Sequence, residues 1–298
     1  MTKHKHRYRP AIKYGYGCID AMNVLLKLAI SKVIIIMLVV QVTYTGHLKA
    51  QDIAPEGLSL WALSLQPSLN RINVIDRKFS SARYSGAIPG ISLSVDVTQR
   101  TVSRKLHVDF SKGALNMQEN SRFLLNHTSF YIGYAQLYKL GRSLAPFSIK
   151  AGGSFTVDYA ERNYEAFINS DLSYEFAASL NAAAELSYSF QNSLEGFRVA
   201  ARFRVPVLSA IQQPSFASDG PDSDPEKKGF QPSSLFKDSE FASFSKYFRI
   251  SNHMTLEKEI GSRHKLALVY SWNYYQFTTS REVRSAQHLM GLSYSFIL

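Results

Sequence analysis

The sequence predicts an all-β fold, an antiparallel transmembrane β-barrel of ten strands, or twelve if the segment before Pro89 adds two more. Three observations predict it. Apolar and polar residues alternate in about ten segments after Pro89, the period of a strand whose two faces meet different surroundings. Several of these segments reach the roughly 9–11 residues that a tilted strand needs to cross a bilayer. An export signal precedes them all. A composition of 45% hydrophobic and 19% charged residues excludes a disordered chain.

Residues 1–50 read as a signal peptide with an N-terminal extension. Lys27 and Lys32 precede the apolar run Val33–Val40, and Ala50 offers a small residue for cleavage before Gln51. The mostly apolar stretch Val33–Tyr44 is too short for the roughly 20 residues of a spanning helix, so the reading is a cleaved signal and not an anchor. Met22 would open a signal of ordinary length. Most of the formal net charge of +11 sits here, in eight basic residues against Asp20. The rest of the chain is close to balanced, which excludes a nucleic-acid reading. Cys18 is the only cysteine, so the processed chain has neither disulfide nor thiolate metal site.

Residues 51–88 read as a periplasmic or plug segment, or as extra strands: Leu63 and Leu65 flank Ser64, and Tyr84–Gly90 is rich in turn formers. The barrel is expected over 89–298. Ile91, Leu93, Val95 and Val97 open it, followed by Leu106, Val108 and Phe110, and by a less regular segment around Phe130–Tyr138. The clearest strand runs from Phe147 to Tyr159, with Ser148, Lys150, Ser154, Thr156 and Asp158 on its polar face. Two short segments follow around Leu172–Phe176 and Leu186–Phe190, then Phe197–Val205, Phe248–Leu256, Leu266–Tyr274 and Met290–Leu298. Tyr159, Phe190, Tyr274 and Phe296 stand near strand ends, where aromatic girdles meet the lipid–water boundaries. Of the ten prolines, Pro214, Pro221, Pro225 and Pro232 share one connection.

That connection, 208–246, is the longest and is read as external, because barrels of this kind have short periplasmic turns and longer outer loops. Its neighbours at 191–196 and 260–263 are short, as alternation requires. Residues 112–126 break the rule, being long where a short turn is due, which predicts an elaborated turn or an uncounted strand. On this count the strand beginning at His127 starts from the periplasm.

The C-terminal positions Met290, Leu292, Tyr294, Phe296 and Leu298 resemble the terminal strand of bacterial outer-membrane β-barrel proteins, with Leu298 standing where many relatives carry an aromatic. The chain as a whole is similar in style to outer-membrane barrels of Bacteroidetes, including a processed chain starting at Gln51. The resemblance implies a bacterial outer-membrane location and insertion by the barrel assembly machinery. It implies contact with membrane lipid and lipopolysaccharide, and no particular activity.

The candidate sites follow from the polar face. Asp171, Glu175, Glu185, Arg198, Arg202 and Arg204 fall on three consecutive predicted strands and are expected to neutralise one another inside the lumen, since unpaired buried charge is costly. The competing reading is a narrow conduit favouring anions near the arginines. His127 and Ser129 share a strand face, a spacing that resembles lipid A deacylases, although Phe130 replaces the usual Asn and no orienting acid is evident. Asp219, Asp222, Asp224 and Glu226 lack EF-hand spacing and read as a solvated loop, so no metal site is expected. Phe216, Phe230, Phe236, Phe241 and Phe244 make the same loop a lid or a protein-attachment surface. The sequence thus predicts a cofactor-free outer-membrane component, a small channel or a scaffold with a partner-binding loop; the runner-up is a lipid hydrolase.

Overall fold

The computed structural model describes residues 59–77, 82–99, 101–118, 123–140, 146–164, 172–191, 194–212, 239–242, 246–278 and 282–298. The signal segment, Asp171, Phe216, Phe230, Phe236, Phe244 and the loop acids lie outside them. The strands are β1 (Leu60–Asp76), β2 (Arg83–Thr98), β3 (Val102–Met117), β4 (Leu124–Lys139), β5 (Phe147–Tyr164) and β6 (Leu172–Ser189). They continue as β7 (Phe197–Gln212), the short β8 (Glu240–Ala242), β9 (Tyr247–Ile260), β10 (His264–Phe277) and β11 (Val283–Ile297). Each long strand pairs antiparallel with the long strand before and after it, β7 with β9, and β11 returns to β1 from Ala62↔Ile297 to Asp76↔Val283. The result is a closed barrel of ten strands, with β8 hydrogen-bonded to β7 near one rim. Closure removes both sheet edges and pairs the wall's backbone groups internally, the condition for a β-structure in lipid.

Ten strands were expected, but they are distributed differently. Residues 51–88 contain one whole strand, β1, and the start of β2, so the wall begins at Leu60 and not at Pro89. The two short segments expected around 172–190 are a single strand of 18 residues. Counting β1 also reassigns the connections to rims, and only 208–246 stands out in length. The connection between β3 and β4 now belongs to the same rim as 208–246, where longer links are due, and His127 moves to that rim as well. At the opposite rim, where β1 begins and β11 ends, the links 99–101 and 261–263 have three residues and the links 140–146 and 190–196 have seven. Gly261 turns β9 into β10 at φ 65°, and Gly196 precedes β7 at φ 82°, left-handed conformations that other residues adopt at a cost. We call these rims the loop end and the terminus end.

Prolines occur inside strands where the ladder is interrupted. The β1–β11 register skips Gln66 and Pro67 between Leu65↔Tyr294 and Ser68↔Gly291. The β2–β3 register skips 86–89, the stretch holding Pro89. A residue without an N–H fits such gaps. In β7, Pro206 stands beside a bulge: Asn181 pairs with Pro206 but Leu180 with Leu208, leaving Val207 as the additional residue. Beyond Arg204↔Ser251, β7 leaves β9 and takes β8 as its neighbour.

The two faces of the wall exchange character partway along its axis. In β1, Leu63, Leu65 and Leu69 point outward and are 52%, 46% and 56% exposed, while Ser64 and Gln66 are buried inside. Two residues later the phase inverts. Arg71 is exposed outside, and Ile72 and Val74 are buried inside. The same inversion occurs in β3, where Val108 and Phe110 face out but Leu115 faces in, and in β10, where Leu266 and Leu268 face out but Tyr275 and Phe277 face in. Near the terminus end the barrel is apolar outside and polar inside; near the loop end it is built like a water-soluble protein, with Arg71, Lys112, Asn126 and Arg284 exposed.

Candidate functional site: a layered lumen

Because the strand period is two, every second residue of ten strands converges on the axis, and the lumen divides into three layers.

The loop-end layer is an apolar core. Ile72, Val74, Tyr84, Ile88, Leu115, Leu125, Tyr164, Ala177, Ile211, Tyr247, Tyr275, Phe277 and Val283 pack together, and Ala242 of β8 joins them. Within it lies a buried ionic knot. Arg162, fully buried, donates through Nη2 to Glu175 Oε2 at 2.8 Å and to the Tyr275 hydroxyl at 2.7 Å, and through Nη1 to Asp76 Oδ2 at 3.5 Å. The Tyr275 hydroxyl donates to Glu175 at 2.9 Å. Four strands are tied at one point, β1, β5, β6 and β10.

In the middle layer two guanidiniums approach the Tyr131 ring, Arg204 at 5.4 Å and Arg249 at 5.8 Å from its centroid. Arg204 also donates to the Tyr131 hydroxyl, and Arg249 pairs with Asp158. Gly133 leaves the room this ring needs, since a Cβ there would strike Tyr131. His107 Nε2 contacts Asp109 Oδ2 at 2.7 Å, and His253 Nδ1 the Ser271 hydroxyl at 2.6 Å. A cavity of about 100 Å3 lies among these groups.

The terminus-end layer holds a larger cavity, about 310 Å3. On its wall Glu185 accepts from Arg202 at 2.6 and 3.0 Å, from Lys150 at 3.3 Å and from Arg198 at 3.5 Å. Arg198 also donates to Ser187 at 3.1 Å, and Lys105 pairs with Asp96 at 3.2 Å.

The expected single network of Glu175, Glu185, Arg198, Arg202 and Arg204 is therefore two networks and a stack. Glu185 does gather Arg198 and Arg202. Glu175 lies ten positions away on the same strand and pairs with Arg162, and Arg204 goes to Tyr131. The missed members were visible in principle: Lys150 and Arg162 both continue the polar parity of β5 that starts at Ser148. His127 and Ser129 share the lumen face without forming a dyad. Both His127 ring nitrogens are buried without a hydrogen-bond partner, and the Ser129 hydroxyl is engaged with that of Ser111 at 2.7 Å. Of the loop phenylalanines, Phe241 is described, on β8, and is 78% exposed. Among the described residues no group of three or more metal-ligating side chains occurs.

No family model and no curated protein matches the chain. Solved structures do. The outer membrane protease OmpT from Escherichia coli aligns at 8% identity over 84% of this chain and 99% of that one, with a TM-score of 0.48. Neisserial surface protein A aligns at 10% identity over 79% of this chain and 97% of its own, TM-score 0.34. The attachment invasion locus protein Ail of Yersinia pestis aligns at 10% identity over 81% and 99%, TM-score 0.31. These neighbours are bacterial outer-membrane β-barrels.

Proposed function

We propose that the chain is an exported protein of the bacterial outer membrane whose barrel is stoppered at its loop end, and that it acts as a scaffold displaying that end and not as a through-channel. The observation that carries this reading is the loop-end core, where buried side chains from the barrel strands occupy the lumen around the Arg162 knot. A conducting pore needs a continuous polar path, and packed apolar side chains oppose ion passage strongly.

The exchange of faces supports the location. Leucines and aromatics are exposed strand after strand on the terminus-end outer surface, whereas soluble proteins usually keep apolar patches to a few hundred Å2. The natural cover is hydrocarbon, so lipid and lipopolysaccharide are the partners of the belt, and the barrel assembly machinery is the route of insertion. Above the belt the wall projects into water and carries β8 and the 208–246 connection, the proposed protein-attachment surface. Signal cleavage near Ala50 belongs to the same proposal. The hydrolase alternative loses support because His127 and Ser129 do not contact one another.

The test is conductance of the purified, folded barrel in planar bilayers, alongside labelling of Arg71→Cys and Leu65→Cys variants in intact cells by a membrane-impermeant maleimide. Silence at all voltages with labelling at 71 and none at 65 is the expected result. Stable single-channel steps from the unmodified chain would overturn the stoppered reading, and equal labelling at both positions would overturn the membrane placement.

A further inference from the structure

We propose that the terminus-end cavity is a binding site for a small phosphate-class oxyanion that enters and leaves through the terminus end. Lys150, Arg198 and Arg202 converge on one carboxylate, Glu185, all within 3.5 Å. One negative charge faces three positive ones, and Lys150, Arg202 and Glu185 are largely withdrawn from solvent, their side chains 13%, 16% and 7% exposed. The donors of an ammonium and two guanidiniums far outnumber the roughly four lone-pair sites of a carboxylate.

The remaining wall does not remove the surplus. Lys105 is matched by Asp96, and Lys265 pairs with Glu259 at 3.0 Å. Glu257 stands opposite Arg198 in the β7–β9 register, and with Glu259 included five basic groups meet four acids, which leaves one positive charge in surplus. Surplus positive charge in a cleft with low-dielectric walls concentrates anions. Two planar forks and an ammonium suit a tetrahedral oxyanion carrying two charges. A cavity of about 310 Å3 admits it with part of its hydration or with a small organic substituent.

Access is from one side. Leu60, Thr98, Ser103 and Ile297, at or near strand termini, line the cavity, so it opens at the terminus end. The three cations sit on the lumen face, away from the lipid belt, which favours a dissolved anion over a headgroup. With the loop end filled, the site would capture and release from one compartment without passing the anion on.

The experiment is titration of the full processed barrel, in neutral detergent, with inorganic phosphate followed by 31P NMR linewidth and calorimetry. Heat-dependent gel mobility verifies that each variant is folded. Charge-assisted hydrogen bonds contribute about 1.5–3 kcal/mol, so Arg202→Gln and Lys150→Gln should each weaken binding about tenfold or more. Glu185→Gln, which removes the competing carboxylate, should tighten it; should that variant fail to fold, the two cation variants decide. No binding by the unmodified barrel, binding unchanged in both cation variants, or weaker binding in folded Glu185→Gln would overturn the proposal. Repeating the titration in phosphatidylcholine and phosphatidylglycerol discs assigns the source. Equal affinity in the two supports a free anion, and loss of phosphate binding only in phosphatidylglycerol makes the headgroup the occupant and overturns it. Bilayer conductance does not enter this test, so it stands or falls apart from the scaffold reading.

Discussion

Arg162 shows how much one side chain can be asked to hold. It is fully buried and answers two carboxylates and a phenol from three other strands. A buried ion pair is weak evidence of net stability, but deleting one partner strands the others without water or counter-charge. Arg162→Ala should therefore destabilise the folded barrel by about 3–5 kcal/mol, read as a lower urea midpoint in vesicles. Glu175→Gln keeps the hydrogen-bonding shape and should cost less; an Arg162→Ala barrel as stable as the parent would show that the knot is ornamental. Gly152 is a second sensitive position. A Cβ there would collide with the backbone carbonyl oxygen of Gln136, which cannot rotate away as a side chain could. Gly152→Ala should destabilise by about 1–3 kcal/mol, the usual scale of overpacking, whereas Gly153→Ala, whose nearest neighbour is 3.6 Å from the added atom, should be close to neutral. Neither arginine nor glycine announces this in the sequence, because each owes its importance to residues of other strands.

At the scale of the strand, alternation was legible wherever one phase persisted, as in Phe147–Tyr159 and Met290–Leu298. It failed for two physical reasons. Where the outer surface passes from apolar to polar, apolar residues change sides, so β1 reads as two conflicting registers, Leu63 and Leu65 against Ile72 and Val74. In β6, Ala177, Ala178, Ala182, Ala183 and Ala184 populate both faces and erase the contrast. The site was half legible: the Glu185, Arg198 and Arg202 cluster follows from neighbouring strands, but its third cation, Lys150, comes from the pairing of β5 with β6. The change of phase makes a depth prediction. Leu65→Arg, in the belt, should cost about 2–4 kcal/mol of folding free energy in bilayers, and Asn73→Arg, above it, about 0–1 kcal/mol. Equal penalties would mean that the hydrophobic thickness does not end between these positions.

For the whole molecule, strands of 14–18 residues exceed the span of a bilayer by several residues each, and in β1, β3 and β5 the excess lies at the loop end. On the proposed placement the lower barrel is held by lipid outside and polar pairing inside; the upper barrel holds itself by its own core. The proposed function thus assigns stoppering and anchoring to different halves of one wall. Weakening the core with Ile72→Asp should admit water from above and give conductance to a silent barrel, while Leu292→Asp on the outer face should impair insertion without opening it, a contrast readable by pairing bilayer recordings with membrane fractionation. The exchange of faces also fixes where a surfactant can gather. A micelle should form an off-centre collar around the terminus-end portion and leave the other half bare, so contrast-matched neutron scattering would find the centres of mass of detergent and protein separated along the long axis.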